Sequence, residues 1–383
     1  MTLATRPRLL GSWEAATAEL SAFGFEETYA PPGCQVVLWE DLPADVLSMV
    51  QDDHEACLRK SVAGRSVLLS GPHAEFEVLA RNLTLVAFER ASDLLSEVVN
   101  APFGCRKVRF GTEEIAFDRT RIVGIVNMTP DSFYDGGRYD SLDGALARAA
   151  RLEKDGADFI EVGGEKAGPG AAVSESEELD RVIPVLEGIR RRSDIRLSID
   201  TRKPGVALRA LMAGAQIVND INGMRDPAMR RVVAETGAAA VVMHIKGSPR
   251  VAQPNPEYGS VVADIGRFLH DRIEDCKSEG IDPSKLIIDP GPGFGKSTLH
   301  DVSLLRHLHE LRGFPQVLML SVSRKSFLGE ILNAPPEDRL EGSLAVTAFA
   351  MTIGVEFVRT HDVRATRRVV DVMDTLKAGG AGP

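Results

Sequence analysis

Four short segments of this sequence combine carboxylates, amides and cations with glycine-rich turns. Two are glycine-rich, NMTPDSFYDGG at Asn127–Gly137 and DPGPGFGK at Asp289–Lys296. Two are cationic, SVSRKSF at Ser321–Phe327 and RTHDV at Arg359–Val363. Carboxylates and amides suit a heterocycle with an N–H-rich edge, whereas arginine, lysine and histidine suit a diphosphate. The combination predicts a site for a substrate that joins a heterocycle to a leaving phosphate.

The two glycine-rich segments predict loops of different kinds. Asn127–Gly137 carries two aspartates, Tyr134 and paired glycines, which favour a loop that closes over a substrate. Gly291–Ser297 ends in Gly-Lys-Ser, as a phosphate-binding P-loop does, but no nucleotide-binding sheet accompanies it. We therefore interpret the second segment as a tight turn that aims Asp289 at the site. Arg359 and its neighbours begin the last helix, where free N–H groups also favour an anion.

Eight short apolar runs, separated by helical patterns, must position these segments. The runs are Ile122–Asn127, Asp158–Gly163, Ile195–Asp200, Gln216–Asp220, Ala239–His244, Leu286–Pro290, Val317–Ser321 and Phe357–His361. The clearest helical patterns cover Leu142–Lys154, Ser176–Arg191 and Leu340–Met351. Runs that are apolar on both faces are typical of parallel strands, and the alternation predicts an α/β fold, a (β/α)8 TIM barrel over residues 119–383. A doubly wound open sheet is the alternative, but its glycine-rich fingerprint after the first strand is missing.

Polar residues stand at the C-terminal end of every predicted strand. They are Asn127, Glu161, Asp200, Asn219 with Asp220, His244, Asp289, Ser321, and Arg359 with His361. Any one of them could simply cap the following helix. In a barrel, however, these strand ends meet at one mouth, where catalytic groups converge. Because all eight strands end in this way, we predict the active site at that mouth.

Residues 1–118 predict a separate small α/β domain in front of the barrel. It contains both tryptophans, Trp13 and Trp39. Its apolar runs are Gln35–Leu38 and Ser66–Ser70, and its helical stretches are Trp13–Phe23, Ala44–Val50, Ala74–Ala80 and Ala91–Val98. Phe110–Thr120 is expected to be an extended or hairpin lead-in to the first barrel strand. No catalytic constellation occurs in this part, so its role is unknown, and packing or dimer stabilisation is the interpretation we favour.

Charge and composition exclude several functional classes. Lysine and arginine total 45 against 55 acidic residues, a formal charge of −10, which argues against non-specific nucleic-acid binding. Cys34, Cys57, Cys105 and Cys276 form no C-x-x-C pair, so neither a zinc site nor a disulfide framework is expected. No apolar run approaches the roughly 18 residues of a membrane span, and no signal-peptide core is visible. We therefore expect a cytoplasmic protein without a membrane partner.

The ordered motifs resemble those of dihydropteroate synthase. They are NMTPDSFYDGG, VGGE…PG, SIDT, ND, MH…GSP, DPGPGFGK, SRKSF, EGS and HDV, spread over residues 121–370. The resemblance implies a transferase of folate biosynthesis. Such an enzyme condenses 6-hydroxymethyl-7,8-dihydropterin diphosphate with p-aminobenzoate and releases 7,8-dihydropteroate and pyrophosphate. It also implies a homodimer.

The resemblance implies roles for individual residues as well. The pterin would be held by Asp200, Asn219, Met243, Asp289, Phe294 and Lys325. The diphosphate and the aminobenzoate would contact Thr129, Ser326, Arg359 and His361. Asn127 would help to bind Mg²⁺ on the diphosphate. Asp289, Lys325, Arg359 and His361 are the predicted catalytic residues, because cations stabilise the leaving group and a buried carboxylate could stabilise the positive charge that develops on the pterin methylene.

The loop after the second strand departs from the family pattern GGESTRPG. Here Gly163–Gly170 reads GGEKAGPG, so Lys166, Ala167 and Gly168 replace a serine, a threonine and an arginine. In the family that threonine and arginine help to assemble the aminobenzoate and pyrophosphate sites. Lys166 is therefore the candidate to return a positive charge. Glu161 stands in place of an aspartate, and the altered loop resembles a divergent second-copy branch of actinobacterial homologues.

Three functions are consistent with these motifs. The first is a working synthase with an altered second loop. The second is a paralogue that keeps the pterin pocket but uses another amine or lacks turnover. The third is a methyltetrahydrofolate-type methyltransferase, which shares the barrel and the pocket, although the cations of SRKSF and RTHDV favour a diphosphate and an anionic aryl partner.

Overall fold

The structure is a computed structural model. It describes residues 7–10, 35–53, 58–71, 73–85, 91–92, 95, 106–111, 113–128, 141–168, 170, 172–249, 251 and 255–377. The chain divides into two compact units, residues 1–104 with 306–315, and residues 105–305 with 316–383. The predicted helix at Trp13–Phe23 and most of the one at Ala91–Val98 lie outside the described residues. The predicted domain boundary after residue 118 stays a prediction.

The first unit contains a four-stranded antiparallel sheet. Its elements are β1 (Arg8–Leu10), β2 (Gln35–Trp39), α1 (Ala44–Asp52), β3 (Arg59–Ala63), β4 (Ser66–Gly71) and α2 (His73–Leu85). The strand order is β1-β2-β4-β3. Trp39, Phe76 and Leu83 are fully buried in its core together with aliphatic side chains from α1 and β4. The unit thus has a hydrophobic core of its own.

The second unit begins with a hairpin and continues as a closed parallel barrel. The hairpin is β5 (Lys107–Phe110) with β6 (Glu113–Ala116). The barrel strands are β7 (Arg121–Asn127), β8 (Phe159–Gly163), β9 (Arg196–Asp200), β10 (Ile217–Asp220), β11 (Ala239–Met243), β12 (Leu286–Asp289), β13 (Val317–Ser321) and β14 (Phe357–Thr360). They close in sequence order, with β14 pairing β7. This confirms the predicted (β/α)8 barrel.

Helices follow the strands along the chain. They are α3 (Leu142–Lys154), α4 (Glu175–Arg190), α5 (Pro204–Met212), α6 (Pro227–Thr236), α7 (Val261–Ser278), α8 (Thr298–Arg306), α9 (Ser326–Leu332), α10 (Leu340–Ile353) and α11 (Val363–Lys377). Several begin at a polar side chain that accepts a backbone N–H, as Ser174 does from Glu177 at 3.2 Å. Strands β8, β10, β11, β12 and β13 are buried along their whole length, as expected of strands covered on both faces.

Aromatic residues fill the N-terminal end of the barrel. Phe159 and Phe357 are the first residues of β8 and β14, and their ring centroids lie 5.2 Å apart. Phe110 of the hairpin packs on Phe159 with centroids 5.7 Å apart, and Phe117 packs on Phe357 at 4.8 Å. The hairpin therefore covers the end of the barrel opposite to the predicted mouth. This leaves the C-terminal strand ends as the place for chemistry.

None of the described helices is long and apolar enough to cross a membrane. Cys276, on α7, is a buried free thiol, and burial raises its pKa to about 12. The other three cysteines lie outside the described residues. The described part of the chain thus offers a thiol of low reactivity, because the thiolate is the reactive form.

Replacement of Phe110 by alanine is expected to lower the free energy of unfolding by about 3 to 5 kcal/mol, because it leaves a cavity at the closed end of the barrel. Chemical denaturation followed by circular dichroism measures this change. Leu299→Ala is the matched control, since Leu299 is 81% exposed and its loss should change stability little. A Phe110 variant as stable as that control would show that the hairpin does not seal the barrel.

Candidate active site

A cavity of about 340 Å³ opens at the C-terminal ends of the barrel strands. Nine of the predicted site residues line it: Asn127, Lys166, Asp200, Asn219, Met243, Asp289, Phe294, Arg359 and His361. Ser321, Ser323 and Arg339 line it as well. Thr129, predicted from the first loop, lies outside the described residues, as does Tyr134. The barrel therefore brings together side chains that are up to 234 residues apart in the sequence, from Asn127 to His361.

Three polar side chains form one wall of this cavity. Asp200 ends β9, Asn219 lies on β10 and Asp289 ends β12. Asp289 is 3% exposed, and its Oδ1 accepts the backbone N–H of Gly291 at 2.7 Å. The Oδ1 atom of Asn219 is buried and has no hydrogen-bond partner among the described residues. This wall presents acceptors, which suits the N–H donors of a heterocycle.

The guanidinium of Arg359 joins two carboxylates at the base of this wall. Its Nε donates to Glu161, and its Nη2 donates to Asp200 at 2.8 Å. Glu161 is 1% exposed and also accepts hydrogen bonds from Ser198 at 3.0 Å and from Asn219 at 3.1 Å. The motif pattern assigned Glu161 no binding role. Its importance depends on partners from three other strands.

Burial and neighbouring charges shift the pKa values of this network. Burial raises the pKa of Asp200 to about 7, while Arg359 opposes the shift and Glu161 adds to it. Burial also raises the pKa of Asp289, with Lys325 opposing it. For Arg359, burial disfavours the charge, but Glu161 and Asp200 outweigh it and raise its pKa. Burial thus disfavours the charged form of Asp200, and the ion pair with Arg359 favours it.

The DPGPGFGK segment is a tight loop whose shape depends on glycine. Gly291 and Gly295 both have positive φ, and a Cβ on either would lie within 2.6 Å of a backbone oxygen, that of His244 or of Lys246. Lys296 holds the loop from inside, since its Nζ lies 2.8 Å from the Gly291 oxygen and 2.9 Å from the His244 ring. Burial lowers the pKa of Lys296 to about 7. This lysine therefore stabilises the turn from within.

Lys325 is packed against Phe294, whereas the next residue, Ser326, is exposed. The Lys325 ammonium lies 4.5 Å from the centroid of the Phe294 ring and donates to the carbonyl of Pro292. Burial lowers the pKa of Lys325 to about 8, and the negative charge of Asp289 partly opposes this shift. Ser326 is exposed at the start of α9 and is not among the residues that line the cavity. Lys325 therefore lies behind the apolar side of the site, beside Phe294.

Asn127 and His361 also line the cavity. The ring Nδ1 of His361 lies 3.0 Å from the Oγ of Ser323, and the same hydroxyl accepts the His361 backbone N–H at 3.2 Å. Burial, followed by the charge of Arg359, lowers the pKa of His361 to about 3. Without a bound anion, the neutral imidazole is therefore favoured near pH 7.

Three other polar residues of the motifs stabilise loops. Arg324, which the sequence places among cations for a diphosphate, pairs through Nε and Nη2 with Asp362 at 2.7 and 3.0 Å. Asp220 accepts the backbone N–H groups of two residues in the following turn, at 2.8 and 2.9 Å. His244 contacts Lys296, as described above, and burial lowers its pKa well below its usual range. These side chains therefore hold the loops around the mouth, and Arg324 also lines the cavity.

Hydrogen bonds to Glu165 hold the altered second loop. This carboxylate bonds the ammonium of Lys203 at 3.0 Å and the backbone N–H of Val173 at 3.2 Å. Lys166 and Ala167 line the cavity, whereas Gly168 has a φ of +103°, and no described atom lies within 4 Å of the place that a Cβ would take there. An arginine at position 168 would be strained in this backbone. The Gly168 backbone thus suits a glycine better than an arginine.

Comparison with known proteins places this barrel in a family. Residues 123–361 match the pterin binding enzyme family. Dihydropteroate synthase of Escherichia coli K12 is 43% identical over 259 residues, 67% of this chain and 92% of that protein. An inactive dihydropteroate synthase 2 of Mycobacterium leprae is 42% identical over 271 residues, 69% of this chain and 92% of that protein.

A solved structure agrees with this placement. Dihydropteroate synthase of Xanthomonas albilineans in complex with 7,8-dihydropteroate has a TM-score of 0.64 and 40% sequence identity, and the match covers 72% of this chain and 100% of that one. The expected motif resemblance is thereby confirmed over the barrel. The chain belongs to the pterin-binding enzyme family and, within it, to the dihydropteroate synthases.

Proposed function

We propose that this protein is a dihydropteroate synthase, a transferase that joins 6-hydroxymethyl-7,8-dihydropterin diphosphate to p-aminobenzoate. The observation that carries the proposal is that one cavity is lined by two kinds of polar group. Asp200, Asn219 and Asp289 offer hydrogen-bond acceptors, and Lys166, Arg359 and His361 offer donors. A substrate that joins an N–H-rich heterocycle to a diphosphate fits this combination. The family membership supports the same reaction.

Binding of the pterin uses the wall of acceptors and two apolar side chains. The unpartnered Oδ1 of Asn219 and the carboxylate of Asp289 accept N–H groups, and Asp200 does so in its charged form. Met243 and Phe294 line the same cavity and offer apolar contacts to the flat ring. The substrate would thus be held by its edge and by its faces, as small-molecule sites usually hold a ligand.

The reaction needs no covalent bond to the protein. The C–O bond of the pterin methylene breaks, and its electron pair leaves on pyrophosphate. The amine of the aminobenzoate forms the new C–N bond and then loses one proton, which the released pyrophosphate can accept. Asp289, buried beside the pterin, stabilises the positive charge that develops on the methylene, and its neighbour Lys325 lies on the same side. Electrostatic stabilisation of this kind contributes several kcal/mol to catalysis.

Mg²⁺ fits the part of the site around Asn127. This residue offers an amide oxygen and Asp200 offers a carboxylate oxygen close by, since both oxygens lie within 4 Å of the place that a Cβ on Gly163 would take. Mg²⁺ prefers oxygen ligands and commonly binds one or two protein groups together with phosphates. When bound, the ion would neutralise charge on the leaving group. Arg359 and His361 would add one guanidinium and one neutral hydrogen-bond donor.

A second candidate function is a pterin-binding paralogue without turnover of aminobenzoate. The observation that favours it is the second loop, in which Gly168 removes a guanidinium and adopts a backbone that an arginine would not. The similar Mycobacterium leprae protein that is described as inactive points the same way. A methyltransferase is less well supported, because the relatives of known activity are synthases.

The protein is also proposed to act as a homodimer. Phe349 on α10 is 46% exposed, and Val372 and Leu376 on the neighbouring α11 are 59% and 70% exposed. Exposed apolar side chains on adjacent helices are typical of an interface between subunits. A role in the cytoplasm, without nucleic-acid or membrane partners, stays a prediction from the sequence.

Turnover is tested by pyrophosphate release with the pterin diphosphate, p-aminobenzoate and Mg²⁺. We expect release that requires all three components, and a loss of roughly 100-fold or more in Asp289→Asn, because that variant removes a negative charge beside the pterin. Background release by a protein that still binds the pterin would favour the inactive paralogue. Failure to bind the pterin would contradict both candidate functions.

Lys166→Ala tests whether this lysine replaces the missing arginine. We expect KM for the pterin diphosphate to rise roughly fivefold with kcat little changed, because a partly exposed cation contributes modestly to anion binding. Lys154→Ala, at the end of α3, is the matched control for loss of one exposed charge. Equal kinetics for the two variants would show that Lys166 has no such role.

The neutral state of His361 is tested by NMR with labelled histidine. Because burial and Arg359 lower its pKa to about 3, its ring signals should not titrate between about pH 5 and pH 8. His361→Gln identifies the signal by its disappearance. A midpoint near 6.5 would contradict the neutral imidazole and would return a positive charge to the diphosphate side.

A further inference from the structure

Glu161 connects strands that are not neighbours in the barrel. Its strand, β8, is separated from β14 by β7 and from β10 by β9. Nevertheless one carboxylate oxygen pairs with Nε of Arg359 on β14, and the other accepts Nδ2 of Asn219 on β10 at 3.1 Å. Ser198 on β9 donates to that second oxygen at 3.0 Å. A single buried carboxylate thus contacts donors from three strands.

The bond to Glu161 decides which way the Asn219 amide faces. Because Nδ2 donates to the carboxylate, Oδ1 must point away from it. That oxygen is buried and lacks a partner among the described residues, and a buried acceptor without a donor is costly. Asn219 lines the cavity, so a ligand N–H is the donor that this arrangement suits. With the amide reversed, the same position would present an N–H donor, which would repel the N–H group of the ligand.

The bond to Glu161 also restrains Arg359. The guanidinium is held through Nε by Glu161 and through Nη2 by Asp200 at 2.8 Å. Two carboxylates on one planar fork leave it little freedom to rotate. Asp200 is consequently held in the cavity wall by a group that Glu161 keeps in place. One buried side chain therefore orients both Asn219 and, through Arg359, Asp200.

We propose that Glu161 is a positioning residue for pterin recognition, which fixes Asn219 as an acceptor and holds Arg359 against Asp200. The inference rests on the proposed function for the identity of the ligand. It adds a specific role for a residue that does not line the cavity. It also predicts what the ligand must offer, an N–H donor opposite Asn219.

Charge and size can be separated by two substitutions. Glu161→Gln keeps the length of the side chain but removes the charge and allows the amide of Asn219 to reverse. Glu161→Asp keeps the charge and loses one methylene. A residue needed only for packing would tolerate the glutamine better, whereas a residue that orients donors by its charge would tolerate the aspartate better. Ser198→Ala is the matched control, because it removes a different bond to the same carboxylate.

The experiment is calorimetric titration of each variant with 6-hydroxymethyl-7,8-dihydropterin. We expect Kd to rise roughly tenfold or more in Glu161→Gln, to stay within about threefold of the parent in Glu161→Asp, and to change by less than about twofold in Ser198→Ala. Thermal unfolding of each protein separates loss of binding from loss of folded protein. If one Glu161 variant does not fold, the Kd of the other variant is still compared with the Kd of Ser198→Ala and of the parent.

Two results would overturn the proposal while leaving the function intact. One is a parent that binds the pterin and a Glu161→Gln variant that binds it equally well. The other is tighter binding by Glu161→Gln than by Glu161→Asp at equal stability. A parent protein that does not bind the pterin at all would contradict the proposed function, and would be distinguished from these results by the first titration.

Discussion

The mouth of the barrel is organised around one buried cation between two carboxylates. Arg359 pairs with Glu161 and Asp200, and all three side chains are largely removed from water. Burial of charge is tolerable only when each group is paired and hydrogen-bonded. Ser198 and Asn219 complete the set by donating to Glu161. The strand order of the barrel brings these groups together, and the orientation of the pterin-facing side chains follows from their pairing.

Charged side chains of the kind found in active sites stabilise the loops around this network. Lys296 braces the DPGPGFGK turn, and Arg324 is paired with Asp362. Arg324 was expected among the cations for a diphosphate, and Lys296 stands in a segment that was expected to form a turn. Arg324 lines the cavity, but its guanidinium is paired with Asp362. In the function that we propose, Lys166, Arg359 and His361 would contact the diphosphate.

Much of the fold could be predicted because the barrel strands are apolar on both faces and end in polar residues. Each predicted strand agrees with the structure to within one residue at either end. The roles of Asp220 and His244 could not be separated from those of Asp200 by position, since all three stand at strand ends. The role of Glu161 depends on partners 37, 58 and 198 residues away, and no local pattern encodes them.

The second loop is where the two candidate functions, pterin binding alone and synthesis, differ. In this loop Lys166 and Gly168 stand where the family has a hydroxyl and a guanidinium. A crystal structure of the protein with pterin and p-aminobenzoate tests the central claim most directly. We predict a pterin whose N–H edge faces Asn219 and Asp289, with Arg359 still paired to Glu161. A pterin bound elsewhere, or an Arg359 that has left Glu161 to bind the ligand, would contradict this account.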